Sequence, residues 1–194
     1  MKKVAFIFPG QGSQTIGMGK DFFENSDIAK EMISKASERL DIDFEKLLFE
    51  ENENLGKTEF TQPAILLVSS IANAIFKEKC NIVPEFVLGH SLGEFSALVA
   101  SGAIDYLDAI ELVHRRGLFM TEACSGGGAG MMALVGIDDA SVEKICEEQR
   151  DAGKQVWPAN YNMAGQLVLA GIKADLESLV ELFKEAGAKR AIVL

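Results

Sequence analysis

The sequence predicts an α/β protein built in two parts, and three observations carry that reading. Two short apolar runs, at 4–8 and 86–88, each end in a glycine turn and lead into helical spacing. A glycine-rich stretch occupies 125–130. Beyond it the rhythm changes to β-α-β-β-α-β. At 194 residues, with 48% hydrophobic and 25% charged side chains and mean hydropathy +0.12, the chain can bury a sizeable core.

The elements follow in order. Val4-Ala5-Phe6-Ile7-Phe8, closed by Pro9-Gly10, reads as a strand buried on both faces, with 10–14 as a loop. Residues 27–40 and 44–49 read as helices, with Ile28, Met32, Ile33, Ala36 and Leu40 sharing one side of the first. Thr61-Gln62-Pro63 reads as a helix start with Pro just inside the first turn, and 64–77 as its buried continuation. Phe86-Val87-Leu88 is a second short buried strand. A turn at 89–93 opens a helix ended by Gly102, and Asp105 with Asp108 opens another that reaches about Cys124. After the 125–130 linker, strands at 131–137, 155–161, 166–171 and 189–194 and helices at 139–150 and 173–187 give a split βαβ, or ferredoxin-like, plan. The boundaries expected are therefore 1–124, 125–130 and 131–194.

Composition excludes several classes. The formal net charge of −10 and basic groups no longer than Lys2-Lys3, Arg115-Arg116 and Lys189-Arg190 argue against nucleic acid and anionic membrane as partners. Cys80, Cys124 and Cys146 are too scattered for a disulfide framework or a Cys-x-x-Cys site, and two histidines make a zinc cage implausible, so no metal is expected. The five apolar residues after Lys2-Lys3 are too few for a secretory signal, and the stretch 64–76 falls short of a membrane span. A cytoplasmic protein is the default.

Gly89-His90-Ser91-Leu92-Gly93 is G-x-S-x-G between a strand and a helix, the setting of a nucleophile elbow. The turn is so sharp that a Cβ two residues before or after the serine would strike the neighbouring strand or helix. Ser91 is thereby presented at a helix N-terminus, which favours developing negative charge. The loop Gly10-Gln11-Gly12-Ser13-Gln14 lacks the Gly-Lys-Ser/Thr of a phosphate loop and the third glycine of a dinucleotide fingerprint. Beside Ser91 it offers oxyanion donors, although its composition alone fits an ordinary turn. Arg115 lies on a helix face with Glu111 and Glu122, one heptad beyond Asp108, and reads as surface ion pairing. Arg116 lies on the apolar stripe with Leu112, Val113, Phe119 and Met120 at i±3 and i±4, so its neutralising partner is not on its own helix. Spacing leaves open a distant acid, snorkelling to the surface, or a substrate carboxylate. His90 adjoins Ser91 and is a poor base for it; it belongs to the substrate surround. His114 on a helix flank reads as structural, and Asn160 and Asn162 as turn residues before Gly165.

Phe8-Pro9-Gly10-Gln11-Gly12-Ser13-Gln14, Thr61-Gln62-Pro63-Ala64, Gly89-His90-Ser91-Leu92-Gly93-Glu94, Arg115-Arg116-Gly117 and Asn160-Tyr161-Asn162 together resemble the malonyl-CoA:acyl carrier protein transacylase family and the acyltransferase domains of fatty acid and polyketide synthases. The resemblance covers the whole chain in order. It implies an α/β-hydrolase-like subdomain, here incomplete, carrying the active site, with a ferredoxin-like subdomain inserted in it. It also implies malonyl transfer from coenzyme A to acyl carrier protein, with coenzyme A as substrate and no resident cofactor. Residue by residue, Ser91 matches the acyl-accepting nucleophile, Gln11 and the Leu92 amide the oxyanion donors, and Arg116 the arginine that pairs with the malonyl carboxylate. Leu92 fits the malonyl-selective form of the elbow, and Asn160 and Asn162 match the pantetheine entrance.

The family's catalytic His lies beyond the insert, past Leu194. The resemblance therefore implies an N-terminal part, of little activity alone, completed by further residues or by a complementary C-terminal chain. Competing classes are a serine esterase or thioesterase using the same elbow, and a non-catalytic binding module or split subunit. A neutral-ester hydrolase has no use for an inward Arg116.

Overall fold

The structure, a computed structural model, describes residues 3–124 and 128–194; residues 125–127 of the expected linker lie outside it. The chain divides into two compact units, Met1–Glu122 and Ala123–Leu194.

In the first unit β1 (Ala5–Phe8) and β2 (Phe86–Gly89) pair in parallel, Phe6 opposite Val87 and Phe8 opposite Gly89. Around them run α1 (Lys20–Asn25), α2 (Asp27–Leu40), α3 (Phe44–Phe49), a 3-10 turn at Asn54–Gly56, α4 (Thr58–Lys79), α5 (Leu92–Ser101) and α6 (Tyr106–Ala123). The main core gathers Ala29, Ile33 and Ala36 of α2, Phe44 and Leu48 of α3, Leu66, Leu67 and Ile71 of α4, and Ile110 and Val113 of α6. The apolar spacing expected at 27–40 is the spacing that packs.

The two strands depart from expectation. Phe6, Phe8 and Val87 pack on Ala97 and Ala100 of α5, whereas Ile7 is 75% exposed, Phe86 62% and Leu88 52%. A continuous apolar run makes a strand fit for burial on both faces, but a two-stranded sheet with a helix on one side covers only one. A second correction concerns α4. It begins at Thr58, where Phe60 and Thr61 N–H both donate to the Lys57 carbonyl, so Pro63 lies in the second turn and not the first. Its 22 residues are long and apolar enough to cross a membrane, contrary to the shorter stretch expected, yet 67% of that window is buried inside the unit. Twelve buried residues, among them Leu66 and Leu67, mark it as the core helix.

In the second unit β3 (Ala129–Val135), α7 (Asp139–Asp151), β4 (Val156–Met163), β5 (Gln166–Ile172), α8 (Lys173–Glu185) and β6 (Arg190–Val193) follow in that order. The strands lie β4-β5-β3-β6, each pairing antiparallel. Met132, Leu134, Leu167 and Leu169 on one sheet face pack with Val142 and Cys146 of α7 and Leu176, Leu179 and Phe183 of α8. Cys146 is packing, as expected, and burial pushes its thiol up to about 11. The strand begins two residues before its expected start at 131: Ala129 and Gly130, expected as linker, are paired opposite Ile172 and Gly171. Glycine composition reads as linker, but a backbone without side chains still pairs.

Candidate active site

The turn between β2 and α5 is set by sterics. A Cβ on Gly89 would fall 1.9 Å from the Gly93 carbonyl carbon, and one on Gly93 would fall 2.3 Å from the Phe8 carbonyl oxygen. Only glycine at both positions lets the chain reverse against β1. Between them Ser91 is held at φ 53°, ψ −101°, a backbone state that a side chain rarely adopts. Gly93 and Glu94 N–H donate to the His90 and Ser91 carbonyls at 2.9 and 3.1 Å, closing the turn. The Leu92 amide heads α5 as one of the first-turn donors that a helix leaves without an internal acceptor. The Leu92 side chain is wholly buried in the core, so what it offers the site is its N–H.

The loop after β1 lies against this turn. A Cβ on Gly10 would sit 2.5 Å from the His90 carbonyl oxygen and 3.1 Å from the His90 Nδ1, which places the imidazole beside the loop. Gln11 Nε2 donates to Thr58 Oγ1 at 3.0 Å and ties the loop to the head of α4. The Ser13 hydroxyl donates to the Gly10 carbonyl at 2.8 Å.

Arg116 reaches the same place from α6. Its Nη2 donates to Ser91 Oγ at 3.1 Å, and its Nη1 to Gln62 Oε1 at 2.7 Å. The guanidinium carbon stands 5.8 Å from the centre of the Phe95 ring. Among the described residues Arg116 has no carboxylate partner. Arg115, one residue earlier, pairs with Glu111 at 2.7 Å on the solvent side, as its spacing predicts. Asp108 joins Arg39 instead, at 3.0 Å. Hydrogen bonds from Arg39 and then Arg115 hold the Glu111 carboxyl below its ordinary value.

Ser91, Arg116, the head of α5 and the first-strand loop are thus brought together within one unit. Asn160 and Asn162 stand on β4 of the other: Asn160 opposite Val168, Asn162 at the register shift between Tyr161 and Met163. The strand runs two residues past its expected end. Sequence reasoning gave no role to Gln62, the wholly buried amide that fixes Arg116. A buried polar residue in an apolar helix was the available signal. Among the described residues no cluster of three or more His, Cys, Asp or Glu could hold a metal ion.

A serine on a strained strand-to-helix turn thus lies with the amides of a helix head and an unneutralised guanidinium beside its hydroxyl, groups able to hold an oxyanion and a second negative charge. The acyl transferase domain family matches residues 5–194, and the chain belongs to it. It is 44% identical over its full length to a malonyl CoA-acyl carrier protein transacylase of Staphylococcus aureus, and 45% to that of Bacillus subtilis. It superposes with a TM-score of 0.93 on a Helicobacter pylori malonyl-CoA:acyl carrier protein transacylase, 47% identical. The TM-score is also 0.93 on a malonyl-transacylase, 40% identical, solved with a type II polyketide acyl-carrier protein. Each match covers the whole of this chain, but the chain spans 61–62% of the length of these relatives.

Proposed function

We propose that the protein transfers a malonyl group from malonyl-CoA to the phosphopantetheine thiol of an acyl carrier protein through a malonyl-Ser91 ester, in fatty acid synthesis. The observation that carries this reading is the 3.1 Å contact of Arg116 Nη2 with Ser91 Oγ, made by a cation without a carboxylate partner among the described residues. An acyl group on Oγ that ends in a carboxylate one methylene beyond its carbonyl meets that charge. An acetyl group leaves it unpaired.

Ser91 Oγ attacks the thioester carbonyl, the Gln11 and Leu92 amides donate to the oxyanion, the C–S bond breaks and coenzyme A leaves as thiol. The carrier thiol gives its proton to the general base and attacks the ester carbonyl, the C–O bond to Ser91 breaks, and Oγ takes that proton back. The family resemblance puts the catalytic His past Leu194, and we therefore assign the general base to the part of the family that aligns there, in the same or a complementary chain. The first unit is read as the α/β-hydrolase-like subdomain and the second as the ferredoxin-like one, with Asn160 and Asn162 at the pantetheine entrance and His90 beside the acyl group. Coenzyme A is substrate, no resident cofactor is invoked, and the compartment proposed is the cytoplasm.

Intact-protein mass spectrometry of the chain completed by its C-terminal part, after mixing with malonyl-CoA, tests the reading. A malonyl adduct is expected, absent in Ser91→Ala, with acetyl-CoA labelling slower by on the order of 100-fold. An adduct that persists in Ser91→Ala, or equal labelling by both thioesters, overturns it.

A further inference from the structure

Pro63 has no N–H, so the Glu59 carbonyl four residues earlier in α4 loses its helical donor. His114 Nδ1 lies 2.8 Å from that oxygen. A carbonyl only accepts, so Nδ1 carries the proton and the imidazole tautomer is fixed. The same face of α6 grips the same residue twice more. A Cβ on Gly117 would fall 2.6 Å from the Glu59 Cα, so the two helices meet backbone to backbone, and Thr121 Oγ1 donates to Glu59 Oε2 at 3.1 Å. His114, Gly117 and Thr121, at i, i+3 and i+7, form one stripe. One turn along α4 from Glu59 is Gln62, the anchor of Arg116 Nη1.

We infer that His114 is a positioning residue for Arg116, acting through the main-chain carbonyl that Pro63 leaves open. This bond sets the height and rotation of α6 on α4. Those in turn set where Arg116 meets Gln62 and Ser91. The kinetic consequence rests on the malonyl-transfer reading; the structural one does not. The structural reading of His114 gains a specific part here, since the carbonyl left open by Pro63 becomes a registration point beside Ser91.

The test uses nitrogen-15 NMR of the protein, at alkaline pH for the imidazole and at mildly acidic pH for the guanidinium N–H groups, with two variants. His114→Phe keeps a ring against Phe60, whose centre is 6.5 Å from that of His114, and removes the donor. His114→Asn returns a donor at the Nδ1 position. The expected results are the Nδ1–H tautomer of His114 in the parent, and loss of the resolved Arg116 Nη signals in His114→Phe with recovery in His114→Asn. The preference for malonyl-CoA over acetyl-CoA in Ser91 labelling should fall about 10-fold in His114→Phe and recover with Asn, because a small displacement at a reacting centre costs rate steeply. An Nε2–H tautomer, or Arg116 signals unchanged in His114→Phe, overturns the inference. Arg116 signals that respond while the acyl preference stays constant uphold the positioning role and overturn the malonyl reading.

Discussion

Arg116 Nη1 donates to the Gln62 side-chain oxygen at 2.7 Å, and Gln62 is 0% exposed. A neutral acceptor orients a guanidinium without cancelling its charge. Arg39 and Arg115 show the opposite arrangement, both bound to Glu111 at the surface. The amide therefore leaves the Arg116 charge available to a ligand while removing its freedom to wander.

Replacing Gln62 separates orientation from charge. Gln62→Leu removes the acceptor and keeps the cation free, and malonyl labelling of Ser91 should fall about 10-fold. Gln62→Glu puts a carboxylate where the amide oxygen stood, so the substrate carboxylate must compete with an internal one. Labelling should then fall by on the order of 100-fold, although the substitution is nearly isosteric. Malonyl labelling rates of the two variants check this; Leu proving worse than Glu contradicts the account.

The residues that were legible beforehand were those with a local steric or helical cause. Gly89 and Gly93 flank Ser91 because a sharp turn admits nothing larger, and the clash distances are short as expected. Arg116 and Arg115 separate onto different helix faces by spacing alone. The strand order of the second unit could not be read from sequence, but its element order could, because each strand and helix keeps its own period. What was missed depends on neighbours distant in sequence. Pro63 carries the signature of a first-turn residue, whereas α4 begins three residues before the expected start at Thr61, and His114 Nδ1 from a distant helix meets the Glu59 carbonyl that the internal proline leaves without a helical donor. The part played by Gln62 is invisible to local spacing for the same reason, its partner being 54 residues away. The open faces of β1 and β2 follow from how many elements cover them, which an apolar run does not encode.

The elbow glycines differ in kind from Gly12 of the first loop. Alanine at Gly93 would place Cβ 2.3 Å from the Phe8 carbonyl and 2.8 Å from the Pro9 carbonyl, both backbone atoms that cannot swing aside. Gly93→Ala should cost about 3 kcal/mol or abolish folding. Gly12 has φ +102° with open space around it, so Gly12→Ala meets only conformational strain, about 1–2 kcal/mol. Urea unfolding of the two variants checks the ranking.

Asp138 caps α7, its carboxylate accepting from Ser141 N–H at 2.9 Å and from the Ser141 hydroxyl at 2.7 Å. Those bonds hold its carboxyl below the usual aspartate range. A group depressed in the folded state contributes stability that is fully present above its unfolded pKa and is lost as pH falls through the folded one. Asp138→Ala should therefore lower the melting temperature at pH 7. The gap to the parent should close as pH falls below the ordinary aspartate range and through the lowered pKa. Melting curves across that window decide it; a gap that stays constant down to pH 2 assigns the loss to something other than the cap charge.

Ser91 pays for its exposure with backbone strain, and two substitutions isolate it. Serine and alanine share a Cβ, so Ser91→Ala removes the hydroxyl and its contact with Arg116 but keeps φ 53°, ψ −101°. Ser91→Gly removes the strain as well, against the cost of a more flexible unfolded chain. Strain of about 1–3 kcal/mol in this region exceeds that entropic cost of about 0.5–1 kcal/mol. Ser91→Gly should thus be more stable than Ser91→Ala by about 1 kcal/mol, the reverse of their order at most positions in regular structure. Both should fail to take up a malonyl group. Equal stability of the two in urea would mean that the Ser91 hydroxyl is presented without strain, and that the glycines at 89 and 93 serve packing alone.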